Sequence, residues 1–132
     1  MAYILIIDDE PEIREVLTEV LKRAGHRVDT AGTGDEGIRR MKSRVPDIVI
    51  TDIIMPGKDG VATIREIRES FPGIGIIAIS GGGNFGSGTY EPDAIKTTAY
   101  LAAAEEAGAN TVLSKPFGRR ELVEAVASLI EG

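Results

Sequence analysis

Tyr3-Ile4-Leu5-Ile6-Ile7-Asp8-Asp9-Glu10-Pro11 decides the fold. The five β-favouring residues at its start form an unbroken run. A strand with one wet face would alternate apolar and polar positions, so this one is buried on both faces. Asp8 and Asp9 end the run, and with Pro11 they provide helix-starting chemistry. Ile13, Val16, Leu17, Val20, Leu21 and Ala24 then recur at three-and-four spacing and make one apolar stripe. Gly25 closes that helix as a C-cap.

The same strand-then-helix alternation extends outward from this stretch. A short strand around Arg27 to Ala31 precedes a helix from about Gly34 to Ser43. Ile38 and Met41 are that helix's few apolar positions, which places it on the rim. Pro46 breaks the chain before Asp47-Ile48-Val49-Ile50-Thr51, a third strand that delivers Asp52. Met55 to Gly60 is turn-rich, and a helix then carries Val61, Ile64 and Ile67 towards Phe71, with Pro72-Gly73 as its stop. Ile74 to Ile79 reads as a fourth strand ending at Ser80.

Gly81 to Gly88 is glycine-rich and reads as a mobile loop, since glycine loses much backbone freedom on ordering. Pro92 and Asp93 restart a helix that runs to Ala107 with Gly108 as its cap. Thr111 to Leu113 is the fifth strand and Lys115-Pro116-Phe117 a turn. Leu122, Val126, Leu129 and Ile130 form one face of a final helix. Strict alternation implies an α/β doubly wound parallel sheet with helices on both faces, joined by right-handed crossovers. The reading is a single three-layer domain over residues 1–132, with no linker and no output domain.

Composition narrows the function. At 132 residues the chain can bury a proper core, and 42% hydrophobic with 27% charged residues is ordinary for a globular protein. Without cysteine there are no disulfides, thiolate metal sites or cysteine nucleophiles. His26 is the single histidine and reads as an exposed turn residue, so a multi-histidine metal site is excluded. The net charge of −6 argues against direct nucleic-acid binding. Tyr3 to Ile7 is too short for a signal peptide or membrane span, so a cytoplasmic protein is expected.

The candidate site follows from the strand ends. Asp8, Asp9 and Asp52 each follow a long apolar strand, so the fold brings them together at the carboxyl edge, where open α/β sheets bind ligands. Ser80 and Lys115 arrive at the same edge. Carboxylates this close repel one another unless a cation joins them. Mg²⁺ suits them because it takes a few carboxylates and keeps waters that a phosphate can replace. The site therefore reads as a phosphoacceptor centred on Asp52. Each residue alone has a plainer reading: helix capping for Asp8-Asp9, a turn for Asp52 or Ser80, a solvated charge for Lys115. Their joint placement decides between the two.

The segments "ILIIDDEPEIREVL", "PDIVITDIIMPGKDG", "IIAISG" and "GANTVLSKPF" together resemble the receiver domains of bacterial two-component response regulators over essentially the whole chain. The resemblance implies a flavodoxin-like (βα)5 fold. It implies that Asp52 accepts a phosphoryl group from a sensor histidine kinase or a histidine phosphotransfer protein. Asp9 and Asp52 would bind Mg²⁺ directly, with the Ile54 backbone carbonyl as a further ligand and Asp8 acting partly through water. Lys115 would pair with one phosphoryl oxygen and Ser80 would bond another, with Lys115–Pro116 cis. The switch would alter the surface from the fourth strand to the last helix for a downstream effector not named by the sequence.

Two departures stand out. Val112 occupies the position three before the lysine, where the family usually has an aromatic residue that turns inward with the serine. The span from Ser80 to Lys115 is also longer than usual, and the excess lies in the glycine-rich stretch, read here as a lid or partner-docking segment. Ile54 and Gly82 offer no polar side chain to orient a water, which implies slow self-dephosphorylation. Among competing readings, an aspartate-nucleophile phosphatase would need an acid/base aspartate at position 54, where Ile54 stands. A flavodoxin-like cofactor binder would need a phosphate loop where this chain has Asp8-Asp9-Glu10, and a receiver-like scaffold that signals without phosphorylation is the remaining alternative. The expectation is thus a switch protein, not a turnover enzyme.

Overall fold

A computed structural model of the chain describes residues 2–53, 60–80, 102–114 and 117–131. Five strands, β1 (Tyr3–Ile7), β2 (Arg27–Ala31), β3 (Ile48–Asp52), β4 (Gly75–Ser80) and β5 (Thr111–Ser114), form one parallel sheet in the order β2-β1-β3-β4-β5. Helices α1 (Pro11–Arg23), α2 (Gly34–Ser43), α3 (Gly60–Ser70) and α5 (Arg119–Glu131) cover it, and residues 102–107 are helical as α4. This is the flavodoxin-like doubly wound order. The glycine-rich Gly81 to Gly88 stretch lies outside the described residues.

The unbroken apolar runs are explained by two cores, one on each side of the sheet. Leu5, Ile7, Val49, Ile76 and Ala78 face α2, α3 and α4 with Ile38, Met41, Ile64, Ile67 and Ala104. Their strand neighbours Ile4, Ile6, Ile48, Ile50, Ile77 and Ile79 face α1 and α5 with Leu17, Leu21, Leu122 and Val126. Successive side chains point to opposite faces, so a strand serving both cores has no position for a polar residue until it ends.

Some expectations are corrected. Val16 is 58% exposed and Ile130 44%, so both leave the stripes they were assigned to. Helix α2 is not a rim element, because Ile38 and Met41 are buried. Its two glycines let it sink: a Cβ on Gly37 would strike the Ile7 side chain, and one on Gly34 would strike Thr63. Counting apolar side chains misses a helix that packs by lacking side chains. Thr33 caps it by accepting the Glu36 N–H at 3.0 Å, while Glu36 Oε1 accepts the Gly32 N–H at 2.9 Å. His26 is half-buried and its Nδ1 accepts the Ala2 N–H at 3.1 Å. Gly25 and Gly108 do close their helices, with φ of 97° and 130°.

The amino edge of the sheet is tied by polar groups. Asp47 accepts the Tyr3 N–H at 2.8 Å, and its carbonyl accepts the Gly75 N–H at 3.0 Å, which links the starts of β1, β3 and β4. In the last turn of α3, Arg68 donates to the carbonyls of Pro72, Ile74 and Gly108 and to Asn110 Oδ1, at 2.7 to 3.3 Å. Asn110 Oδ1 in turn accepts the Ile76 N–H at 2.8 Å. One guanidinium thus joins α3, β4 and the turn after α4.

Arg68→Ala removes charge-assisted bonds to partly buried carbonyls and is expected to cost about 2–3 kcal/mol, read as a lower urea midpoint at unchanged slope. Burial also pushes the His26 pKa below its ordinary 6.5. The unfolded chain then binds a proton that the folded chain refuses, so this contribution to stability is lost as pH falls below about 6.5. Urea unfolding from pH 7.5 to 5.5 is expected to show a loss in wild type that His26→Gln lacks.

Candidate functional site

Strand register assembles the carboxyl edge. Ile7 pairs with Thr51 and Asp52 with Ile79, so Asp8, Asp52 and Ser80 leave adjacent strands at nearly the same height. Ser80 is in turn level with Ser114, the residue before Lys115. One ligand oxygen each from Asp8, Asp9 and Asp52 falls within a 4.8 Å cluster. Asp8 and Asp52 are buried, at 1% and 3% exposure, while Asp9 faces solvent.

The local backbone explains these positions. The Asp8 N–H donates to Ala31 O at 3.1 Å, which extends the β1–β2 ladder one step beyond the strand. Asp8 Oδ1 accepts the Glu10 N–H at 2.9 Å, a tight turn before α1. Glu10 is the residue at the N-cap and makes no side-chain cap bond, so the acid pair does not itself cap the helix. Arg14, one and two turns before Leu17 and Leu21 on the buried side of α1, donates from Nη1 to Asp8 O at 2.6 Å. Asp52 is held from behind. The Ile53 N–H donates to Ile79 O at 2.9 Å, the Gly60 N–H donates to Ile53 O at 3.0 Å, and the Thr51 hydroxyl donates to Asp52 O at 3.1 Å.

Electrostatically, two buried carboxylates beside a third are unfavourable unless positive charge comes to them. The Ser80 hydroxyl is fully buried and has no hydrogen-bond partner among the described residues. A buried hydroxyl in that state is under-satisfied and can accommodate an incoming acceptor. Val112 is half-buried and packs against the core under α3 and α4, opposite Ala78. Lys115, Pro116, Ile54 and Asp59 lie outside the described residues.

The chain matches the family model described as "Response regulator receiver domain" over residues 4–90. It belongs to the response regulator receiver family. It is 36% identical over 125 residues to the DNA-binding transcriptional regulator NtrC of Azospirillum brasilense, covering 95% of this chain and 23% of that protein. It is 36% identical over 122 residues to the KDP operon transcriptional regulatory protein KdpE of Escherichia coli K12, covering 92% of this chain and 48% of that one. The chain thus spans less than half the length of these curated relatives. Among solved structures, a response regulator receiver domain protein from Clostridium thermocellum superposes with a TM-score of 0.81 at 32% identity, covering 99% of this chain and 95% of that one. The receiver resemblance and the flavodoxin-like fold are therefore established, and the chain carries an acid cluster at the carboxyl edge of its sheet. Among the described residues no helix is long and apolar enough to cross a membrane.

Sequence reasoning overlooked Arg14 and Gly60. Arg14 has a signal, a cation on the line of buried positions in α1. Gly60 has none beyond its turn, yet a Cβ there would strike the backbone of Asp52 and Ile53. Gly60→Ala is expected to cost about 1–3 kcal/mol, because backbone must move to admit the methyl group. Urea unfolding gives the loss, and shifted Asp52 and Ile53 amide resonances locate the movement.

Proposed function

We propose that the chain is a phosphoacceptor switch in which Asp52 takes a phosphoryl group from a phosphohistidine donor. The observation that supports this most is the convergence of Asp8, Asp9 and Asp52 within 4.8 Å at the sheet edge that also carries the Ser80 hydroxyl, buried and without a hydrogen-bond partner among the described residues. The donor set fits Mg²⁺, a hard ion served by oxygen ligands. By the family resemblance Asp9 and Asp52 would hold the ion directly and Asp8 partly through water, and all three acids lie in the cluster. The Ile54 carbonyl completes the protein ligands in this reading. When bound, the metal supplies charge neutralisation for the phosphoryl oxygens.

An Asp52 carboxylate oxygen forms the new P–O bond as the donor's P–N bond breaks, and the donor imidazole leaves with that electron pair. Lys115 pairs with one phosphoryl oxygen and the Ser80 hydroxyl donates to another, so this is catalysis by positioning and charge. The product is a switch state, not a released product, and it hydrolyses slowly because Ile54 and Gly82 orient no water. The donor is a sensor histidine kinase or histidine phosphotransfer protein, the signal passes to an effector protein, and the chain acts in the cytoplasm. With Val112 in place of an aromatic, Ser80 moves without a swinging ring, and the Gly81 to Gly88 segment serves as lid or docking element.

Incubation with acetyl phosphate and Mg²⁺ is expected to add the mass of one phosphoryl group to wild type and nothing to Asp52→Asn. Chelating the metal should abolish the gain. A wild type that stays unmodified while binding Mg²⁺ would favour a scaffold that signals without phosphorylation.

A further inference from the structure

We infer that Arg14 is a positioning residue for the acid pair: its guanidinium holds the Asp8 carbonyl and so sets where the Asp8 and Asp9 carboxylates point. The inference rests on the metal reading of the site and adds a determinant of its affinity. Three observations carry it. The bond from Arg14 Nη1 to Asp8 O is 2.6 Å, short for a charge-assisted pair. It ties α1 back to the main chain of the turn that contains both acids. The Asp8 side chain completes the turn by accepting from Glu10.

The β2–α2 junction leaves room for this guanidinium. A Cβ added at Gly32 would lie 3.4 Å from Arg14 Nη1 and 3.8 Å from Glu36 Oε1, and Glu36 itself is held by the Gly32 N–H. Arg14 is also half-buried, so its orientation is restricted by packing against neighbouring groups. It lies beside the Gly32 backbone of the β2–α2 junction while it bonds the β1–α1 turn.

Two physical effects of Arg14 on a bound cation have opposite signs. Its positive charge repels the ion, so removing it would tighten binding if Coulomb repulsion dominated. Its hydrogen bond organises the ligands, so removing it would loosen binding if positioning dominated. Losing the outer partner of a metal ligand typically costs 10- to 100-fold in affinity. The guanidinium bonds the Asp8 carbonyl and not a carboxylate, and Asp9 beside it faces solvent, which screens the repulsion on that side. Positioning should therefore win.

The test titrates MgCl₂ into the full chain by calorimetry and follows the Asp8 and Asp9 amide resonances. Arg14→Met keeps the apolar stem and removes donor and charge. Arg14→Lys keeps the charge and one donor. The expected result is Mg²⁺ binding about tenfold weaker in Arg14→Met, with Arg14→Lys between that and wild type. Arg68→Ala, a destabilising change at the opposite edge, should leave Mg²⁺ affinity at the wild-type value. Unchanged or tighter binding in Arg14→Met overturns the inference while leaving the metal reading intact. Equal weakening in Arg68→Ala overturns it as well, since the effect would then follow stability alone. A wild type that shows no saturable Mg²⁺ binding overturns the metal reading and the inference with it.

Discussion

The constraint on which everything else depends is that β1, β3 and β4 serve two cores at once. A residue on a strand with both faces dry has no cheap place for a polar side chain, because burying one without a partner costs about 1–3 kcal/mol. Polar chemistry is therefore pushed to the strand ends. At the amino ends it becomes scaffolding, in Asp47, Asn110 and the Arg68 guanidinium. At the carboxyl ends it becomes the site, in Asp8, Asp52 and Ser80. The same economy that builds the core segregates structure from chemistry along one axis.

Close approach of backbone at glycine completes the scaffold on the α2–α3 side. Gly34, Gly37 and Gly60 all lie where a Cβ would meet another part of the protein. The first two bring α2 down onto Ile7 and Thr63, and the third brings the start of α3 against Asp52 and Ile53. Ile7 and Ile53 adjoin Asp8 and Asp52, the acids at the ends of β1 and β3. The glycines thereby set the depth at which the site sits.

Much of this was legible in the residues. Continuous apolar runs ending in acids located β1 and β3, and the Gly25 and Gly108 helix ends followed from turn chemistry. The acid triad needed only the parallel order of the sheet. What escaped was packing that leaves no periodic trace. Helix α2 has few apolar residues because glycine does its packing, so it read as peripheral. Val16 and Ile130 fit an apolar stripe by spacing, yet their faces turn outward. Arg14 and Arg68 act through backbone carbonyls, and no residue type in the partner announces such a bond. His26 read as exposed because nothing local shows that the Ala2 N–H would meet it.

The Gly37–Ile7 and Gly34–Thr63 contacts bear on how such domains can be recombined. Ile7 ends the strand that precedes α1, Gly34 and Gly37 lie in α2, and Thr63 lies in α3, so one packed unit is encoded by three separated segments. A chimera that exchanges α2 alone would import side chains into space that Ile7 and Thr63 already fill, or leave that space empty. Exchange should succeed where all four positions travel together. The natural module for grafting is thus a set of mutually fitted surfaces, not a contiguous stretch of chain.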